Sequence, residues 1–160
     1  MVIALKIVLV TTLLSILYQD IKERQVYWFL FPMVGISAGL LFYLNTIPEL
    51  FLLTVSINMV LVTLMLVVIY AYIKLRLKLS FKDTLGLGDI LLFVMLALAF
   101  SNISFYVLFI SALVFSLLLH LILNRNKKDN DVPLAGYMSG FFMLVFLGFW
   151  SGLIDNLYSL

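Results

Sequence analysis

Residues 90–124, ILLFVMLALAFSNISFYVLFISALVFSLLLHLILN, run for 35 positions without an acidic residue, a lysine or an arginine. A helix needs about 20 apolar residues to cross the hydrocarbon core of a bilayer. This run is therefore too long for one comfortable crossing and short for two, and length alone does not decide. Ser101-Asn102-Ile103-Ser104 supplies residue types that favour turns, which predicts two short helices of roughly 15 to 20 residues each, the second ending near Asn124. The other uncharged runs are Met1 to Gln19, interrupted only by Lys6, then Gln25 to Pro48, Leu50 to Ile73 and Val132 to Ile154. With the central run split, the expectation is six spans.

Composition leaves little room for another class. Hydrophobic residues make up 65% of the chain and charged ones 11%, against about 25% charged in soluble domains. We expect an all-α, polytopic bundle of transmembrane helices forming a single membrane-embedded domain over residues 1–160. The net charge of +2 is too small to suggest nucleic acid. With no cysteine there is neither a disulfide framework nor a thiolate zinc site, so chemistry without a cofactor or metal is the default. The first segment lacks the basic start and small-residue cleavage site of a secretory signal and reads as a retained helix.

The basic residues give an independent test of topology, since cytoplasmic loops are enriched in lysine and arginine. Lys22 and Arg24 lie in the first connection, Lys74, Arg76, Lys78 and Lys82 in the third, and Arg125, Lys127 and Lys128 in the fifth, so nine of the ten fall on one side of a six-span bundle. Without a turn near Ser101 the last cluster would emerge on the opposite face. The pattern therefore favours the hairpin and puts both termini outside. The alternation of Lys74 to Lys82 suits an extended segment on the membrane surface, with anionic lipid headgroups as its partner.

Six of the eight glycines form GxxxG pairs: Gly35 with Gly39, Gly136 with Gly140, and Gly148 with Gly152. Such pairs let helices approach closely. Packing within the chain is the simpler expectation and a homodimer contact the alternative.

An ionisable group at membrane depth is costly and is a functional hypothesis by default. Of the eight acidic residues, only Asp20 and Asp89 abut helix ends with apolar sequence closing over them, and the expected topology puts both at one depth on the cytoplasmic side. Two carboxylates facing each other would share a proton, one acting as base toward a water and the other as acid toward a scissile amide. That is aspartic protease chemistry, and it needs neither metal nor nucleotide. The alternatives are structural: a helix N-cap for Asp89 and a local ion pair with Lys22 or Arg24 for Asp20. Gly86 and Gly88, directly before Asp89, permit close backbone approaches closed to larger residues.

Gly86-Leu87-Gly88-Asp89 resembles the GxGD motif of intramembrane aspartyl proteases, and the prepilin peptidase family is the best match. Asp20-Ile21-Lys22-Glu23-Arg24-Gln25-Val26, running on to Phe31-Pro32, resembles that family's first aspartate motif. Val132-Pro133-Leu134-Ala135-Gly136 resembles the proline-containing segment that begins a late helix there. The specific motifs cover about twenty residues. The resemblance implies a leader peptidase of the inner (cytoplasmic) membrane that cuts prepilin-like single-span substrates at the cytoplasmic face. It implies Asp20 and Asp89 as the catalytic pair, with Gly86 and Gly88 as support for the substrate loop. Leu91 stands where the family often has lysine, and the proline that usually follows the first motif closely is displaced to Pro32. Without the longer members' cysteine-bearing N-terminal domain, cleavage without N-methylation is expected. Presenilin and signal peptide peptidase share GxGD, but their nine-helix architecture and Pro-Ala-Leu element match less well.

His120 reads as a polar side chain reaching the interface, Asn58 as an interhelical hydrogen-bond partner, and Asp83 as a solvated loop charge. Two rival functions stand beside the peptidase. One is a small carrier or channel subunit whose aspartates bind a proton or cation; the other is a non-catalytic assembly factor with the same fold.

Overall fold

The computed structural model describes residues 1–77, 85–123, 132–154 and 157–158. Within them are six α-helices and no strand: α1 (Val2–Glu23), α2 (Leu30–Leu44), α3 (Pro48–Tyr72), α4 (Leu87–Leu96), α5 (Asn102–Leu123) and α6 (Leu134–Trp150). Lys78, Lys82, Asp83, Asn124, Arg125, Lys127, Lys128, Asp129, Asp131 and Asp155 lie outside the described residues.

Several helix boundaries have a local cause. Pro48 opens α3 at a position whose N–H would have no partner in any case, after an extended Ile47. At the end of α1, Arg24 takes a left-handed conformation with φ 56° and its N–H closes on the Asp20 carbonyl. Asn45 Nδ2 donates to the Leu41 carbonyl at 2.7 Å, satisfying an acceptor freed at the end of α2. The close of α6 is a Schellman motif, in which Leu153 N–H bonds the Gly148 carbonyl at 2.9 Å and Gly152 N–H the Phe149 carbonyl at 3.2 Å. Gly152, with φ 79°, is thus the left-handed stop of the helix. Its pairing with Gly148 is no helix-packing motif, because Gly152 lies past the last helical residue.

Three helical stretches are long and apolar enough to cross a membrane: Val2–Glu23, Pro48–Arg76 and Asn102–Leu123. The other three are shorter, with 15 residues in α2, 10 in α4 and 17 in α6. The short helices are the interior ones. α1 packs between α2 and α6, α4 lies against α2, and α5 lies against α6. Phe31 and Phe42 from α2, Phe93 from α4, and Phe142 and Phe146 from α6 are fully buried. Only 17% of the most apolar windows of α3 and α5 is buried within the chain, so Leu52, Leu53, Val60, Leu64, Val67 and Val68 point outward. Exposed apolar side chains in such number are compatible with a lipid surround.

Two local expectations change. Ile73–Leu77 is a π-helical turn continuing α3, where an extended segment was expected from Lys74 onward. Near lipid the helix satisfies its own backbone polar groups, which an extended strand leaves open. The central break also falls earlier than Ser101 to Ser104. α4 stops at Leu96, residues 97–101 form the turn, and Asn102 already begins the 22-residue α5. The cause lies in another helix: Asn58 Nδ2, from α3, donates to the Ala97 carbonyl at 3.2 Å and the Phe100 carbonyl at 3.1 Å. Ala97, Ala99, Phe100 and Ser101 are fully buried, and the Phe100 ring stacks on Phe142 and Phe146 of α6 with centroids 5.5 and 5.2 Å apart. Irregular backbone is tolerated at such depth where protein encloses it.

Candidate active site

The last turn of α1 and the first turns of α4 and α6 meet at one end of the bundle. Asp20 sits in the last turn of α1, Asp89 is the third residue of α4, and Ala135 and Gly136 are the second and third residues of α6. The first N–H groups of a helix have no intrahelical acceptor. Pro133, which precedes α6, supplies no side-chain cap. Carboxylates from the two other helices take that place. Gly136 N–H donates to Asp20 Oδ2 at 2.6 Å. The Asp89 carboxylate accepts backbone hydrogen bonds from Ala135 and from Gly86, and it lies close enough to Asp20 for the two to interact electrostatically.

Consecutive amides of one helix therefore hold two acidic side chains from two other helices. The positive end of the α6 dipole favours negative charge at this point, which offsets part of the mutual repulsion of the carboxylates. The site brings together the two aspartates singled out in the sequence, and both are half-buried. The bond from Gly86 to Asp89 is the backward-reaching half of a capping box, so Asp89 does cap its own helix. Its contact with Ala135 and its proximity to Asp20 are additional to that role. Lys22, a candidate ion-pair partner for Asp20, instead donates to the Tyr18 hydroxyl at 2.8 Å, while Arg24 acts on Asp20 electrostatically.

Three glycines keep the site close-packed. A Cβ on Gly136 would stand 2.9 Å from Asp20 Cβ and 3.0 Å from Asp20 Oδ2. On Gly86 it would stand 3.2 Å from Asp89 Oδ2, and on Gly88 3.2 Å from Cζ of Phe31 in α2. Gly86 has an ordinary φ of −65°, so space and not backbone freedom calls for glycine there. Gly136 and Gly140 mark the face of α6 that packs on α1, as their GxxxG spacing suggests, but the hydrogen bond from Gly136 to Asp20 was not foreseen from the sequence. The available signal was the location of Gly136 just after Pro133, within the unsatisfied first turn of a helix.

Tyr27, Trp28 and Phe29 form an exposed aromatic run between α1 and α2 at this end, and Tyr18 is exposed beside Lys22. Among the described residues no group of three or more His, Cys, Asp or Glu side chains comes together as a metal-binding set. Comparison with known proteins finds no matching family model and no match among curated proteins or solved structures.

Proposed function

We propose that the chain is a membrane aspartyl endopeptidase, a leader peptidase of the prepilin type. The observation that carries this is Asp20 held on the Gly136 amide with the Asp89 carboxylate near enough to interact with it and with the backbone of Ala135. With one proton between them, the ionised carboxylate draws a proton from a water, and the water oxygen attacks the scissile carbonyl carbon. The protonated carboxylate then donates to the departing amide nitrogen. The α6 amides hold the pair in register and need not move during turnover.

In this reading the chain sits in the inner membrane as six helical segments with both termini outside, and the aspartate end faces the cytoplasm. Lys22 and Arg24 beside Asp20 and the aromatic run Tyr27 to Phe29 support that placement, since basic residues mark cytoplasmic loops and Trp and Tyr gather at interfaces. At about 1.5 Å per residue, α2, α4 and α6 fall short of a full hydrocarbon core, so the bilayer thins locally or the aspartates sit below its surface. The substrate is the leader junction of a single-span, prepilin-like protein presented at that face, with anionic lipid around the basic loops. Co-expression with candidate single-span substrates tests this through a leader-sized mobility shift, absent when Asp89 is replaced by asparagine.

A second reading, a small proton- or cation-coupled carrier, draws support from α4, which ends inside the bundle at a buried, irregular turn of a kind that lines ion sites in transporters. Ion-coupled flux in vesicles without any leader cleavage would favour it.

A further inference from the structure

At the joint between α4 and α5, remote from the aspartates, three side-chain oxygens are buried without a hydrogen-bond partner among the described residues: Asn58 Oδ1, Ser101 Oγ and Asn102 Oδ1. Asn58 and Ser101 have no exposed surface at all. The orientation of the Asn58 amide is fixed, because its nitrogen serves the carbonyls of Ala97 and Phe100, which would repel the oxygen if the amide were flipped. Phe100 is the residue directly before Ser101, so the Asn58 oxygen is delivered to the same turn that carries the other two. Leaving a buried polar atom unpaired costs about 1 to 3 kcal/mol, and for three on adjoining elements of one joint a single shared partner is the simplest remedy.

We infer that this joint is a binding site for one buried water molecule, which fastens α3 to the turn between α4 and α5. The donor and acceptor count selects water over a cation. Two of the oxygens belong to amides and only accept, while the serine hydroxyl also donates. A water has two hydrogens for Asn58 and Asn102 and a lone pair for the Ser101 proton, and buried waters typically make about three hydrogen bonds. A monovalent ion would find three neutral oxygens and no carboxylate, too little to replace its hydration shell in a medium of low dielectric. The inference is independent of the peptidase proposal, since it touches neither Asp20 nor Asp89.

The test combines a structure with a mutant cycle on the purified full chain in detergent. A crystal structure grown without sodium is expected to show a density peak at hydrogen-bonding distance from all three oxygens. Ser101→Ala and Asn102→Ala are each expected to lower the unfolding temperature, and the double variant to unfold no lower than the worse single variant, because either change releases the same molecule. Unfolding temperatures in sodium, potassium and choline chloride at equal ionic strength are expected to coincide. A site without a peak, additive losses in the double variant, or a stabilisation specific to sodium would each overturn the water assignment.

Discussion

Gly136 donates its backbone N–H to Asp20 Oδ2 at 2.6 Å while its missing side chain leaves the room Asp20 occupies, a Cβ there falling 2.9 Å from Asp20 Cβ. One residue thus supplies both the hydrogen bond and the space, and Gly136→Ala should displace the carboxylate without altering its chemistry. Misplacing a catalytic group by about 1 Å can cost about 100-fold in rate. We expect leader cleavage by Gly136→Ala to fall by about that factor, with insertion and helix content near those of the wild type. Gly140→Ala, whose Cβ would meet only the flexible end of Leu17 at 3.3 Å, should keep most activity. Equal losses in the two variants would show that helix packing, not the aspartate, responds.

Asp20→Asn and Asp89→Asn should each abolish processing, since an amide can neither share the proton nor alternate between acid and base. Both variants should insert at normal abundance. Glu23→Gln, which alters an exposed residue, should remain active, as should Asp83→Asn and Asp129→Asn. Loss of activity in all five would point to general electrostatics.

Asn58→Leu should destabilise the fold without touching the aspartates. It strips the donor from two buried carbonyls, Ala97 and Phe100, each worth about 1 to 3 kcal/mol when left unsatisfied. Asn58→Asp should do no better than leucine, because a carboxylate offers those carbonyls no proton when ionised. Thermal unfolding of the purified variants reads both effects; an unfolding temperature equal to the wild type's would remove Asn58 from its tethering role.

For topology, single cysteines in place of Lys78 and Lys127 should be protected from an impermeant thiol reagent in intact cells, whereas cysteines at Glu49 and Asp155 should react. The background is clean because the chain has no cysteine of its own. Labelling at Lys127 but not at Lys78 would make residues 90–124 a single crossing and defeat the six-segment topology.

The helices were legible from the uncharged runs, and the meeting of Asp20 with Asp89 from the alternation of basic loops, because both follow from solvation of the chain along its length. What the sequence concealed depends on neighbours distant in it. The break at residues 97–101 is held by Asn58, some forty positions earlier, so local turn formers placed it one turn late. Gly136 and Gly140 face α1 closely, as their GxxxG spacing suggests, but that spacing says nothing of the α1 carboxylate that the Gly136 N–H holds. Gly152 matched the same spacing and turned out to terminate a helix, since a spacing rule carries no information on where helical backbone stops.

Whether Asp20 and Asp89 form one hydrolytic pair is decided with purified protein in detergent and a single-span substrate bearing a prepilin-like leader, scored for a leader-sized product. The wild-type chain is expected to cleave this substrate, and the Asp20→Asn, Asp89→Asn double variant at matched concentration and unfolding temperature is not. Trimming by the double variant at the wild-type rate would contradict a hydrolytic pair and leave the two aspartates as caps on the α6 amides.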